Sequence, residues 1–190
     1  QENVFYYISV MNESYPQPGM KPGQEAGIVK GMYLLQADET ARPYRVQLLG
    51  SGAITHEMLS AVELLRQDWN VAADIWSVTS FTMLARDGNE VARWNMTHPK
   101  ETPKVPYVKA CLAKTVGPII AATDYVRLFA EQIRAYMPEG RSYTVLGTDG
   151  FGRSDTRANL RRFFEIDRYY VILAALDALA KAGDIPSETV

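Results

Sequence analysis

"YRVQLLGSGAITHEMLSAVELLRQDWNVAADIWSVTSF", residues Tyr44 to Phe81, changes its hydrophobic period twice. "YRVQLLGSG" reads as a strand that ends in a Gly-Ser-Gly turn. Ile54, Met58, Ala61, Val62 and Leu65 then recur at helical spacing between about Ile54 and Gln67, which places Glu57, Glu63 and Arg66 outward. "VAADIWSVTSF" returns to a β-favouring run. A strand, a helix and a second strand in this order form the repeating unit of a parallel sheet, with the helix laid on one face.

The same alternation extends in both directions. Upstream, "GMYLLQA" reads as a strand. Downstream, "TMLARDGNEVARWNM" gives a helical stretch expected to break at Asp87-Gly88. A loop with Pro99, Pro103 and Pro106 leads to a short helix through Tyr107 to Ala113. "PIIAATD" is continuously apolar, as a strand covered on both faces would be. Asp124 is placed to cap a helix running to about Met137, with Tyr125, Leu128, Phe129, Ile133 and Tyr136 inward. "SYTVLGT" is the last strand. Helices from Asp155 to Phe164 and from Asp167 to about Ala182 close the chain, the second stopped by Gly183 and Pro186. The class is α/β, a largely parallel sheet between helix layers.

The N-terminal end differs. Val4 to Val10, "VFYYISV", is a short β-favouring run, and "MNESYPQPGMKPGQEAG" after it holds three prolines and three glycines. The expected division is residues 1–26 as the end of a preceding domain and its linker, and residues 27–190 as one compact domain. The aromatic group Phe5, Tyr6, Tyr7 and Tyr15 then points to contact with a neighbouring domain. The chain opens on Gln1 with no basic-then-apolar leader, which reads as a piece of a longer product.

Composition narrows the function classes. The 190 residues are 47% hydrophobic and 22% charged, an ordinary globular mixture able to bury a core. Twenty basic against 22 acidic residues leave a formal charge of -2, without the cationic excess that attracts nucleic acid or anionic lipid. The longest apolar stretches, such as "YYVILAALDALAKAG", are interrupted by Asp177, so no membrane span is expected. Cys111 is the single cysteine and has no internal partner, which suits a reducing compartment, so the chain is placed in the cytoplasm.

"VLGTDGFGRSDTRANLRRFF", Val145 to Phe164, is the stretch closest to a binding signature. Gly147, Gly150 and Gly152 lie between a strand and a helix, where unpaired N–H groups favour an anion. Their spacing is G-x-x-G-x-G, not the dinucleotide G-x-G-x-x-G, and no Lys-Ser or Lys-Thr closes the loop. Arg153, Arg157 and Arg161 recur every four residues, with Leu160, Phe163 and Phe164 on another face. Such a basic face can meet phosphate, an acidic partner surface, or only water and nearby carboxylates. The "LLGSGAI" turn is a second strand-to-helix glycine turn, long enough to place N–H groups at a helix N-terminus, and either turn could serve the alternative reading, a small-ligand or nucleotide-binding regulatory module. His56 and His98 are separate, no Cys or His cluster supports a metal, and "GRSDT" lacks the glycine that a serine nucleophile elbow needs. Among the carboxylates, helix capping accounts for Asp124, Asp155 and Asp167; acid-base work by others such as Asp87, Glu90 and Asp149 needs a pair held in a cleft, a convergence that sequence alone does not show.

Several of these stretches carry a resemblance: "FYYISVMNESYPQPGMKPGQEAGIVKGMY", "VQLLGSGAI", "SVTSFTMLARDGNEVARWNM" with "HPKETPKVPY", "TDYVRLFAEQIRAYMP" and "LGTDGFGRSDTRANLRRFFEID". Together they resemble the C-terminal domain of transketolase-type, thiamine diphosphate-dependent enzymes. Within that group the likeness is to the decarboxylating component of pyruvate dehydrogenase in its homodimeric bacterial form. The broader family's Phe-Gly-x-Ser core falls here on Phe151, Gly152, Arg153 and Ser154.

The resemblance implies a three-layer α/β/α domain around a mixed five-stranded sheet with one antiparallel strand. It also implies that thiamine diphosphate, Mg²⁺ and the acid-base residues belong to upstream domains. The family's Gly-Asp-Gly magnesium motif is absent, Gly147-Thr148-Asp149-Gly150 being a different element, so no catalytic, cofactor or metal residue is carried over. Gly147, Asp149, Gly150, Phe151, Gly152, Arg153, Ser154, Arg157 and Arg161 are expected to form an interface or packing corner. The implied partners are the upstream domains, a second copy and a lipoyl-bearing acetyltransferase.

Overall fold

A computed structural model describes residues 3–8, 10 and 13–190. Helix α1 (Glu25–Lys30) leads through Gly31 into strand β1 (Met32–Gln36). Next come β2 (Tyr44–Gly50), a short 3-10 turn at Gly52–Ile54, α2 (Thr55–Asp68), β3 (Val71–Val78) and α3 (Phe81–Thr97). Helix α4 (Tyr107–Leu112), β4 (Ile119–Ala122), α5 (Leu128–Glu131), β5 (Tyr143–Leu146), α6 (Arg157–Phe163) and α7 (Arg168–Lys181) complete the regular elements used below.

The sheet has the order β1-β3-β2-β4-β5. β1 is antiparallel to β3, and the other four strands are mutually parallel. Strand periodicity divides the core between two faces. Val46 and Leu48 of β2, Val71, Ala73 and Ile75 of β3, and Ile120 and Ala122 of β4 pack with Ile54, Met58 and Leu65 beside α2, and with Val171, Ala175 and Leu179 of α7. Leu49, Trp76, Val78, Ile119, Ala121, Tyr143 and Val145 point the other way, onto Phe81, Leu84, Val108, Leu112 and Ile133. The result is three layers, helices on both faces of a mixed sheet, as the resemblance implies.

A polar network is threaded along β2 and β3. Asp74 Oδ2 accepts from Gln47 Nε2 at 2.7 Å, and Gln47 Oε1 accepts from the Trp76 indole at 2.8 Å. Asp74 Oδ1 accepts from Arg45 Nη1 at 2.7 Å and from the Asp38 N–H at 2.9 Å. Asp38 itself accepts from Arg66 Nη2, Ala73 N and Thr40. Burial opposes ionisation of Asp38, but these donors outweigh it and hold the carboxyl at about 2. The loop between β1 and β2 is thus tied to the sheet and to α2.

Five expectations need correction. The helix at 81–97 is unbroken: Gly88 is buried under the Tyr136 ring, whose Cδ2 and Cε2 would lie 2.3 Å from a Cβ there, so the glycine serves packing rather than a break. The long helix from Asp124 is reduced to α5 and a 3-10 turn at Arg134–Tyr136; Leu128 and Phe129 are exposed, Ile133 is buried, and Asp124 caps nothing. Thr156, not Asp155, caps α6, accepting from Asn159 N, whereas Asp167 does cap α7. Glu57 is buried, not outward. Finally, residues 4–8 and 10 form no strand and are exposed; Ser9 of that run lies outside the described residues, as do Met11 and Asn12 of the following stretch.

Candidate functional site

The glycine corner after β5 is spent on its neighbour. Gly147 lies against the 123–127 loop so closely that a Cβ would fall 2.6 Å from Arg127 Cγ and 2.9 Å from the Tyr125 carbonyl. Thr148 donates its N–H to Tyr125 O at 3.0 Å and its hydroxyl to Asp124 O at 3.1 Å. Asp149 accepts from Arg127 N at 3.1 Å and Nε at 2.7 Å. Those Arg127 donors lower the Asp149 carboxyl below its usual value. The loops after β4 and β5 are therefore one bonded unit. Gly150, Phe151, Gly152, Arg153 and Ser154 project beyond it, Phe151 at 96% exposure.

The three arginines do not form a shared basic face. Arg153 precedes α6 and lies 4.3 Å over the Phe163 ring. Arg157 pairs through Nε with Glu13 at 3.0 Å. Arg161 turns inward, its side chain 14% exposed, and donates from Nη1 to Glu57 at 2.8 Å. Arg168 donates to the same carboxylate from its backbone N–H and from Nε, each at 3.0 Å. Burial raises the cost of the Glu57 charge, yet Arg168 and Arg161 more than offset it and lower the carboxyl. Helix spacing correctly placed Arg157 and Arg161 near one another. It could not reveal that Glu57, a hundred residues away, consumes one of them.

A cleft of about 680 Å³ opens at the carboxyl ends of β2 and β3. That is where the helices following adjacent strands leave for opposite faces, the customary place for a ligand in an α/β sheet. Ser51, Gly52, His56, Val78 and Tyr125 line it, and Tyr15 with Pro18 forms the outer wall. The Tyr15 ring stacks on His56 at 5.0 Å, and Ser51 Oγ bonds the Tyr125 hydroxyl at 2.9 Å. Among the described residues no Lys, Arg, Asp or Glu lines this cleft, so it offers no counter-charge to a phosphate. The arrangement does not favour a nucleotide at either glycine turn.

No other described group assembles chemistry. His98 stacks on Trp94 at 4.5 Å, at the end of α3. Asp87 accepts the Tyr107 N–H, and Glu90 pairs with Arg86. Burial pushes the Cys111 thiol up, away from the reactive thiolate. Among the described residues no group of three His, Cys, Asp or Glu side chains could hold a metal ion, and no helix is long and apolar enough to cross a membrane. The clamp on Glu57 and the Asp38–Asp74 network were missed in the sequence. Asp74, a carboxylate inside the apolar run "VAADIWSV", was the one signal available for the second.

Residues 31–167 match the family model of the transketolase-like TK C-terminal domain. The pyruvate dehydrogenase E1 component of Pseudomonas aeruginosa is 56% identical over 190 residues, covering 100% of this chain and 21% of that protein. The protein of the same name from Escherichia coli K12 is 53% identical over the same span, also with 21% of its length covered. This chain therefore spans about a fifth of the curated relatives it matches. Among solved structures, transketolase from Leishmania mexicana superimposes with a TM-score of 0.55 at 19% identity, over 87% of this chain and 20% of that one. A split-gene transketolase, described as an inactive beta4 tetramer, gives 0.52 at 14% identity, over 80% and 43%. The last two similarities speak to the fold alone.

Proposed function

Because this chain belongs to the transketolase C-terminal-domain family, we propose that it is the structural and assembly domain of a pyruvate dehydrogenase of the acetyl-transferring type. The observation that carries this is the 53 to 56% identity to such components across the whole chain. In the proposed parent, pyruvate is decarboxylated and its two-carbon unit passes to a lipoyl group of an acetyltransferase. Residues 1–26 belong to the end of the preceding domain and the linker, and residues 27–190 to this domain. The parent works in the cytoplasm as a homodimer within a multienzyme complex.

Thiamine diphosphate and Mg²⁺ are assigned to the upstream domains, because the residues described here do not fit them. Asp149, the acidic residue of the glycine corner, is committed to Arg127. Arg161 is committed to Glu57. No described acidic cluster could bind the metal, and no catalytic step is derived for this chain. The geometry suits holding polypeptide elements in place: loops bonded to one another, a buried ion clamp and a linker laid along the sheet's carboxyl end.

The test is a pair of assays with thiamine diphosphate, Mg²⁺ and pyruvate. The full-length parent should decarboxylate pyruvate and acetylate a lipoyl acceptor, whereas the 190-residue chain should remain at background. Enzyme-like turnover by the short chain, or an inactive parent, would overturn the proposal.

A further inference from the structure

The four parallel strands end on one side of the molecule, and exposed apolar residues of the segments that follow β4 and β5 lie there. Val126, Leu128 and Phe129 follow β4, at 41%, 66% and 41% exposure. Phe151, at 96%, and Phe163, at 53%, follow β5. Bonds from Thr148 and Asp149 to residues 124–127 lock the two loops together. Arg153 is stacked on Phe163, which leaves an apolar patch rimmed by already paired charges. Exposed aromatic side chains inside such a rim are the usual anchors of a protein contact.

The N-terminal segment leaves the domain at this same end. Tyr15 stacks on His56 at the start of α2, Glu13 pairs with Arg157 at the start of α6, and Arg161 Nη2 donates to the Tyr15 hydroxyl at 3.4 Å. These contacts fix where the chain passes off the fold. Beyond them Val4, Phe5, Tyr6, Tyr7, Ile8 and Val10 are all exposed, from 57% to 94%. The matched relatives are about five times as long as this chain.

We infer that the surface built by residues 126–129, 150–153 and Phe163 is the docking face for the domain that precedes residue 13 in the full-length polypeptide. The Glu13–Arg157 pair and the Tyr15–His56 stack set the angle of approach. This rests on the proposed parent enzyme, since it needs an upstream domain. Chain connectivity favours that occupant over a second copy: a tethered domain leaving at this face meets it at high effective concentration. The exposed apolar run of residues 4–8 lies on the same tether, upstream of the contacts made by Glu13 and Tyr15.

The test uses the full-length enzyme with Phe151→p-benzoylphenylalanine, and separately Leu128→p-benzoylphenylalanine. Val116→p-benzoylphenylalanine is the control, because Val116 is 62% exposed at the opposite, amino end of β4. After irradiation and mass spectrometry, positions 151 and 128 should cross-link to polypeptide upstream of Gln1 at least tenfold more than position 116. Equal yields, no upstream links, or links into residues 27–190 of a second copy would overturn the docking face. Pyruvate decarboxylation is measured on the unmodified parent beforehand. An active parent without upstream links defeats the docking face alone, and an inactive parent defeats the functional reading on which it rests.

Discussion

Glu57 is the residue on which three helices converge: it lies in the first turn of α2 and receives Arg161 from α6 and Arg168 from the start of α7. Removing a buried carboxylate strands a guanidinium that stays in the interior, a far larger loss than cutting a surface pair. In urea unfolding, Glu57→Ala should cost about 3 kcal/mol. Arg168→Ala, whose side chain is 40% exposed, should cost about 1 kcal/mol or less. Equal losses would show that the clamp is not centred on Glu57. Gly88 makes a second prediction. Alanine gains up to about 1 kcal/mol of helix propensity there, but its methyl would overlap the Tyr136 ring. Gly88→Ala should therefore lose about 2 kcal/mol net. Adding Tyr136→Ala should cost less than the sum of the two single changes.

At the scale of elements, two loops are held by different electrostatics. The β1–β2 loop depends on Asp38, buried and held at about 2 by its donors. A carboxyl lowered on folding stabilises above its unfolded value near 4 and loses that contribution as pH falls through its folded value. The shift corresponds to about 2 kcal/mol. Asp38→Asn should show roughly that deficit at neutral pH by thermal or urea melts, and the gap to the parent should close between pH 5 and pH 2. A gap that stays constant would remove the ionised Asp38 from the account. The β5–α6 loop instead depends on the exposed Asp149–Arg127 pair. Asp149→Ala should leave the melting temperature essentially unmoved while hydrogen exchange rises at residues 148–151. Surface pairs order a loop without contributing much to global stability.

For the molecule as a whole, the alternation of strand and helix was legible because period 2 and period 3.6 both survive in the sequence. Ile54, Met58, Ala61, Val62 and Leu65 are all buried as their spacing requires, and "PIIAATD" gives a strand buried at every position. The candidate corner was less legible. Its glycines and arginines stood out, but their roles depend on partners distant in sequence, with Gly147 beside Arg127 and Arg161 on Glu57. The segment after β4 carries apolar residues at helical spacing yet folds as only the short α5 and a 3-10 turn. Leu128 and Phe129, read as inward, turn outward on the face assigned to docking.

By itself, then, the sequence determined the α/β class and the core positions of most elements, because hydrophobic period and turn chemistry are local, while the family followed from the resemblance of whole segments. Only the tertiary structure decided which charges are consumed, where residues 13–18 cross the fold and which apolar side chains stay uncovered. Those outcomes depend on contacts between residues far apart in the chain, such as Glu13 with Arg157 and Glu57 with Arg168, and no local pattern encodes such pairings.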